Sequence, residues 1–178
     1  MNELEILYTA RELLGGNQSL FFWQTITRLG DNGVLWISIG LFFSCFSVAR
    51  RTGCIIGIAL FAGFMCCNAT LKPLFDRLRP CELHPQDLIF ACPSDPSFPS
   101  GHTTASFAAA WVLAFFHPRW GNAALTLAIL IAWSRLYLFV HWPTDVAVGI
   151  LIGTLCAGLA IWMGKQIFKP LSLAERWS

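Results

Sequence analysis

Charge is what this sequence has least of. Only 12% of its 178 residues are Asp, Glu, Lys or Arg, about half of the ~25% carried by a soluble globular domain. A fully water-facing surface is therefore excluded. The net charge is +2, and no basic patch with interleaved aromatics occurs, which argues against a nucleic acid partner. No Cys-x-x-Cys pair exists, and no cluster of Asp, Glu, His or Cys has the look of a Zn²⁺ or Mg²⁺ cage. No metal and no cofactor are expected. The start carries Glu3 and Glu5, not the cationic opening of a signal peptide. Repeats and low-complexity segments are missing too, and nothing calls for an obligate protein partner.

The chain has instead long uncharged runs. Asn32–Ala49 spans 18 residues, Thr52–Leu71 spans 20 and Val146–Gly164 spans 19. A bilayer core of ~30 Å needs about 20 helical residues, with 17–25 tolerated. Two shorter stretches, 102–117 and 120–140, complete the pattern. The expectation is a single all-α domain over 1–178, a polytopic transmembrane helical bundle of about five to six spans. Residues 1–31 read as helices in the membrane interface, with a tilted first span as the alternative. Residues 32–164 form the bundle and 165–178 a polar tail. Arg50, Arg51, Arg119, Lys165, Lys169 and Arg176 fall on one side of the alternating path, which marks it as cytoplasmic. The polar loop 72–101 then faces outward, although Lys72, Arg77 and Arg79 in it oppose that rule. Trp36, Trp120, Trp142 and Trp162 sit near span ends and read as interfacial anchors.

Polar chemistry gathers in three clusters on the outward side: Lys72 to Arg79-Pro80, Pro99-Ser100-Gly101-His102, and Ser134-Arg135 through His141 to Asp145. Ser100 suits a helix N-cap, Gly101 allows close backbone approach, and the helix start behind them favours an anion. Arg135 lies inside an apolar stretch, where a charge costs at least ~2.5–3.5 kcal/mol. It must face the bundle interior and find an anion; a structural pair with Asp145 or Asp76 is the alternative. Pro143 suits the first turn of the last helix, which places His141 just before it and Asp145 within reach. A carboxylate on one imidazole nitrogen fixes the tautomer and frees the other as nucleophile. Lys72, Arg79 and Arg135 supply positive charge for a phosphoryl group in transit, and His102 is available to protonate the leaving oxygen. Asp76 and Arg77 read as local pairs or headgroup contacts, and His84 and His117 as structural or solvated residues.

Lys-x6-Arg-Pro, Pro-Ser-Gly-His and Ser-Arg-x5-His-x3-Asp, in that order over 72–145, resemble the three-part signature of the type 2 phosphatidic acid phosphatase superfamily. The resemblance implies a helical membrane bundle and metal-independent phosphatase chemistry. It makes His141 the nucleophile, Asp145 its orienting carboxylate and His102 the general acid. It assigns Lys72, Arg79, Ser100, Gly101 and Arg135 to the phosphate. Some relatives are soluble vanadate-dependent haloperoxidases, which this composition argues against. The expected substrate is a membrane lipid phosphate reached sideways from the bilayer at the outer face of a bacterial inner membrane. Undecaprenyl pyrophosphate comes first, followed by lipid A 1-phosphate and phosphatidylglycerophosphate. An anion or lipid transporter is the competing class, with Arg135 and Lys72 as selectivity charges. Cys81 and Cys92, outside the apolar runs, are expected to form a disulfide on the oxidising side; two free thiols are the alternative.

Overall fold

A computed structural model of the chain describes residues 2–168. The described residues contain helices and loops and no strand. Lys169 and Arg176, and with them most of the expected tail, lie outside the described residues. Helices α1 (Glu3–Leu13) and α2 (Leu20–Leu29) come first, followed by α3 (Val34–Cys45) and α4 (Arg50–Phe64). A π-helical segment, Met65–Leu71, carries α4 into α5 (Lys72–Phe75), and α6 is the single turn Pro80–Leu83. After the polar loop come α7 (Gly101–Phe116), α8 (Pro118–Tyr137) and α9 (Pro143–Ile167).

The core is α7, wrapped by α4, α8 and α9, with α3 against α4. Its sequence explains that place. Ala108, Ala109 and Ala110 are fully buried, and a Cβ at Gly153 of α9 would sit 2.5 Å from the Thr104 carbonyl oxygen. Small residues let helices approach closely where lipid supplies no hydrophobic drive for association. The amphipathic α1 and α2 pack on α8, burying Leu7 and Trp23.

Among the described residues, two stretches are long and apolar enough to cross a membrane, Arg50–Leu83 and Pro143–Ile167. With 12 residues, α3 reaches about 18 Å. With 16, α7 reaches about 24 Å. The uncharged run at 32–49 does not translate into one long helix, because Phe46 turns extended and ends α3. Trp120 and Trp162 are exposed, as anchors would be. Trp36 and Trp142 are not anchors. Trp36 is fully buried and donates to the Ser106 hydroxyl at 3.0 Å, and Trp142 is buried and donates to the Leu78 carbonyl at 2.9 Å. Both sit near span ends in sequence, but helix packing turns them inward.

Arg51, His117 and Lys165 collect at the end of the bundle away from the three clusters. His117 pairs with the Thr52 hydroxyl at 3.0 Å, and Lys165 lies 4.6 Å from the Phe115 ring centre. At the other end, Cys81 and Cys92 are joined by a disulfide with a Cα separation of 5.9 Å.

Candidate active site

Chain direction alone brings the clusters together, since α4–α5 and α8 end where α7 and α9 begin. The π-helical segment rotates the next helical turn, as such segments do at functional sites, and Asn68 and Lys72 both come to line the resulting cavity. Lys72 is 5% exposed and donates to Asp95 and, at 2.8 Å, to the Pro96 carbonyl. Arg79 caps α6, where its backbone N–H donates to Glu82 at 2.6 Å. That bond aims a guanidinium that is 1% exposed. The guanidinium donates to the Val140 carbonyl at 2.6 Å and to the Asp95 carboxylate at 2.9 Å. Asp95 thus grips both cations. Burial raises its carboxyl, but the hydrogen bond from Lys72 and the charges of Lys72 and Arg79 outweigh that and leave it below the ordinary carboxylate range.

His141 closes the loop between α8 and α9 and is 1% exposed. Arg79 Nη1 lies 3.2 Å from His141 Nε2. A guanidinium only donates, so Nε2 accepts and carries the lone pair. The proton then belongs on Nδ1, which lies 3.5 Å from Asp145 Oδ2. That distance is long for a hydrogen bond, and contacts of this kind tighten in a substrate complex. Asp145, fully buried at the third position of α9, is held from three sides. The Trp142 N–H donates at 2.8 Å, the Ser97 hydroxyl donates to the same oxygen, and Arg77 donates to the other at 2.6 Å.

Ser100 caps α7, and its buried hydroxyl accepts from Thr103 Oγ1 at 2.9 Å. Gly101 comes next, against Asn68, 3.2 Å from where a Cβ would stand. His102 Nε2 lies 2.9 Å from Asp31 Oδ1. Arg135, 2% exposed, donates from Nη1 to the Thr27 hydroxyl, while its Nε has no partner among the described residues. The pairs with Asp145 or Asp76 considered from sequence do not form. Lys72, Arg79, Gly101, His102, Arg135 and His141 all line one cavity of about 900 Å³. From that polar end it runs between α3 and α4 past Leu41, Gly57, Phe61 and Phe64. Cations sit at one end of an apolar groove, an arrangement suited to a ligand with an anionic head and an apolar body.

A sequence profile of the PAP2 superfamily matches residues 52–169, which contain the three clusters. The chain belongs to the PAP2 superfamily. A curated relative in Escherichia coli, a putative undecaprenyl-diphosphatase YbjG, is 44% identical over 84 residues. That match takes in 44% of this chain and 42% of the relative, so the chain spans less than half of that protein's length. The undecaprenyl-diphosphatase of Sulfolobus acidocaldarius is 28% identical over 173 residues, covering 84% of this chain and 82% of the relative. Among solved structures, LpxE of Aquifex aeolicus superposes with a TM-score of 0.78 at 27% identity, covering 89% of this chain and 94% of that one. A Bacillus subtilis PAP2-type phosphatidylglycerolphosphate phosphatase gives 0.72 at 24% identity, covering 93% and 86%, and shares the fold. Among the described residues, two apolar helices of spanning length accompany these matches.

Several groups around this PAP2 site carry no sequence signal. Asp95 sits in the polar loop ahead of Ser97, and Asn68 hides inside an apolar run. Arg77, read as a local pair, braces Asp145 and stacks 5.4 Å from the Trp142 ring centre. Its other arm donates to Glu3 at 2.6 Å. Glu3, Thr27 and Asp31 all precede the residues matched by the family profile. The signal available for Asp31 was the Gly-Asp-Asn-Gly turn, which reads from sequence as a simple reversal.

Proposed function

We propose that this chain is a metal-independent lipid phosphatase working through a phosphohistidine intermediate. The observation that carries the reading is the His141 Nε2 lone pair beside Arg79, in a cavity that continues into an apolar groove. In the first step Nε2 attacks phosphorus and a P–N bond forms. The bond from phosphorus to the lipid oxygen breaks, and that oxygen takes a proton from His102. In the second step water attacks phosphorus, the P–N bond breaks and inorganic phosphate leaves. The water proton returns to His102, and both histidines are restored. Lys72, Arg79 and Arg135 hold the non-bridging oxygens, with backbone N–H groups at the start of α7.

Undecaprenyl pyrophosphate is the substrate this reading puts first, because the relative matched over most of the chain is named for it. A phosphatidylglycerophosphate or lipid A phosphate is the second reading, favoured by two further curated relatives, phosphatidylglycerophosphatase B of Escherichia coli and the lipid A 4'-phosphatase of Bacteroides thetaiotaomicron. In this reading α3, α7 and α8 also cross the bilayer, which gives five spans, with α1 and α2 in the interface. The site opens on the outer face of a bacterial inner membrane, opposite Arg51 and Lys165. A transporter would have no need for the two histidines. Purified protein in detergent, given a panel of lipid phosphates and pyrophosphates, should release inorganic phosphate. No release from any lipid in the panel by monodisperse protein would overturn the reading.

A further inference from the structure

The turn between α2 and α3 reaches into the site from outside the family-matched region. Gly33 N–H donates to the Gly30 carbonyl at 3.2 Å and closes it. Gly30 presses on the imidazole so closely that a Cβ there would stand 2.7 Å from His102 Cδ2. The next residue, Asp31, places Oδ1 2.9 Å from His102 Nε2 and lines the same cavity. Three residues before Gly30, Thr27 holds Arg135. One short stretch therefore seats both a proposed phosphate-binding cation and the proposed acid.

A general acid in this cavity faces an electrostatic problem. Lys72, Arg79 and Arg135 line the same space and oppose a further positive charge on the imidazole. Among the described residues Asp31 is the one carboxylate in contact with His102. Its carboxyl lies below the ordinary range, because the hydrogen bond with His102 lowers it more than partial burial raises it. It is therefore ionised at neutral pH and available to hold an imidazolium.

We propose that Asp31 is a positioning residue for His102, holding the Nε2 proton so that Nδ1 exchanges the catalytic one. This rests on the phosphatase reading above and extends it. When the ester bond breaks, the lipid oxygen takes the proton from Nδ1. His102 is left neutral with Nε2–H still donated to Asp31. When water attacks the phosphohistidine, Nδ1 takes its proton and the imidazolium is restored against the carboxylate. Asp31 never changes protonation state and never touches the substrate.

Leaving-group chemistry separates this role from a structural one. The test uses two amphiphiles with the same dodecyl tail, an alkyl phosphate and a dodecyl-nitrophenyl phosphate. The alkyl oxygen must be protonated as it leaves, whereas the nitrophenolate leaves unaided. General acid catalysis contributes about 10²–10⁴-fold. Asp31→Asn, which keeps the side-chain size and loses the charge, should lower kcat/KM on the alkyl phosphate by about 10- to 100-fold, a part of that factor. Its kcat/KM on the nitrophenyl substrate, which reports formation of the phosphohistidine and not its hydrolysis, should stay near wild type and serves as the control for folding. His102→Ala should show the same discrimination more strongly, and adding Asp31→Asn to it should cost nothing further. Equal losses of Asp31→Asn on both substrates, or no loss on either, would overturn the proposal while His102→Ala still discriminates. If His102→Ala shows no discrimination, the assignment of the acid falls and Asp31 with it. Failure of the wild type on both amphiphiles and on the lipid panel would instead count against the phosphatase reading.

Discussion

At the scale of single residues, Arg79 decides the chemistry available to His141, because a permanent donor at 3.2 Å obliges Nε2 to hold its lone pair. His141→Ala should leave no measurable turnover in a phosphate-release assay. Asp145→Asn should retain a residue of activity, down by roughly 10²–10⁴-fold, since it orients and stabilises the imidazole without bonding to phosphorus. Asp95 is placed against Lys72 and Arg79, where a phosphate would have to bind. A charge at contact distance in a wet site is worth about 1 kcal/mol, or about fivefold. Asp95→Asn should therefore tighten competitive inhibition by inorganic phosphate and by vanadate about fivefold. Unchanged inhibition constants would mean that the carboxylate moves aside at no cost.

At the scale of elements, the groove between α3 and α4 and the loop after α6 carry the testable features. Gly57 faces that groove, and a Cβ there would meet nothing within 4 Å. Gly57→Leu should fold well, since Gly is about 0.8–1 kcal/mol less favourable than Ala in a helix and Leu ranks just below Ala. It should raise KM for long-chain lipid phosphates and spare a short-chain one. Equal effects on both chain lengths would show that the groove does not receive the tail. The Cys81–Cys92 bond closes a loop whose Phe90 lines the cavity, with Pro93 lining it just beyond the bond. Replacing both by Ser should lower stability by roughly 2–4 kcal/mol, read as a drop in Tm. Neither position of unreduced protein should label with a thiol reagent.

At the scale of the whole molecule, the bundle gathers Lys72, Arg79 and Arg135 around one cavity, and the proposed mechanism uses these cations in place of a divalent ion. Excess chelator should leave turnover unchanged. Loss of activity that Mg²⁺ restores would sink the metal-free mechanism. The amphipathic α1 and α2 join the site to the rest of the bundle: Glu3 accepts from Arg77, which braces Asp145, and Thr27 and Asp31 hold Arg135 and His102. Deleting residues 2–29 should therefore abolish activity even in preparations that stay helical by circular dichroism.

Sequence alone determined the helical class and the three clusters, because both depend on local rules. Uncharged runs report burial in lipid or core, Ser100 and Pro143 mark helix starts, and a histidine four residues before Asp145 places the two within reach. Membership of the PAP2 superfamily was legible for the same reason, since its chemistry demands fixed residue types at fixed spacing. The partners of those residues were decided by tertiary structure. Asp31 meets His102 across 71 residues, Arg77 meets Asp145 across 68, and Thr27 meets Arg135 across 108. No periodicity links such pairs; they meet because helices of particular length and crossing bring their ends together. The same holds for Trp36 and Trp142, whose position near span ends read as anchoring. Which face of a helix looks inward depends on its neighbours, and small residues such as Gly153 set how close those neighbours come.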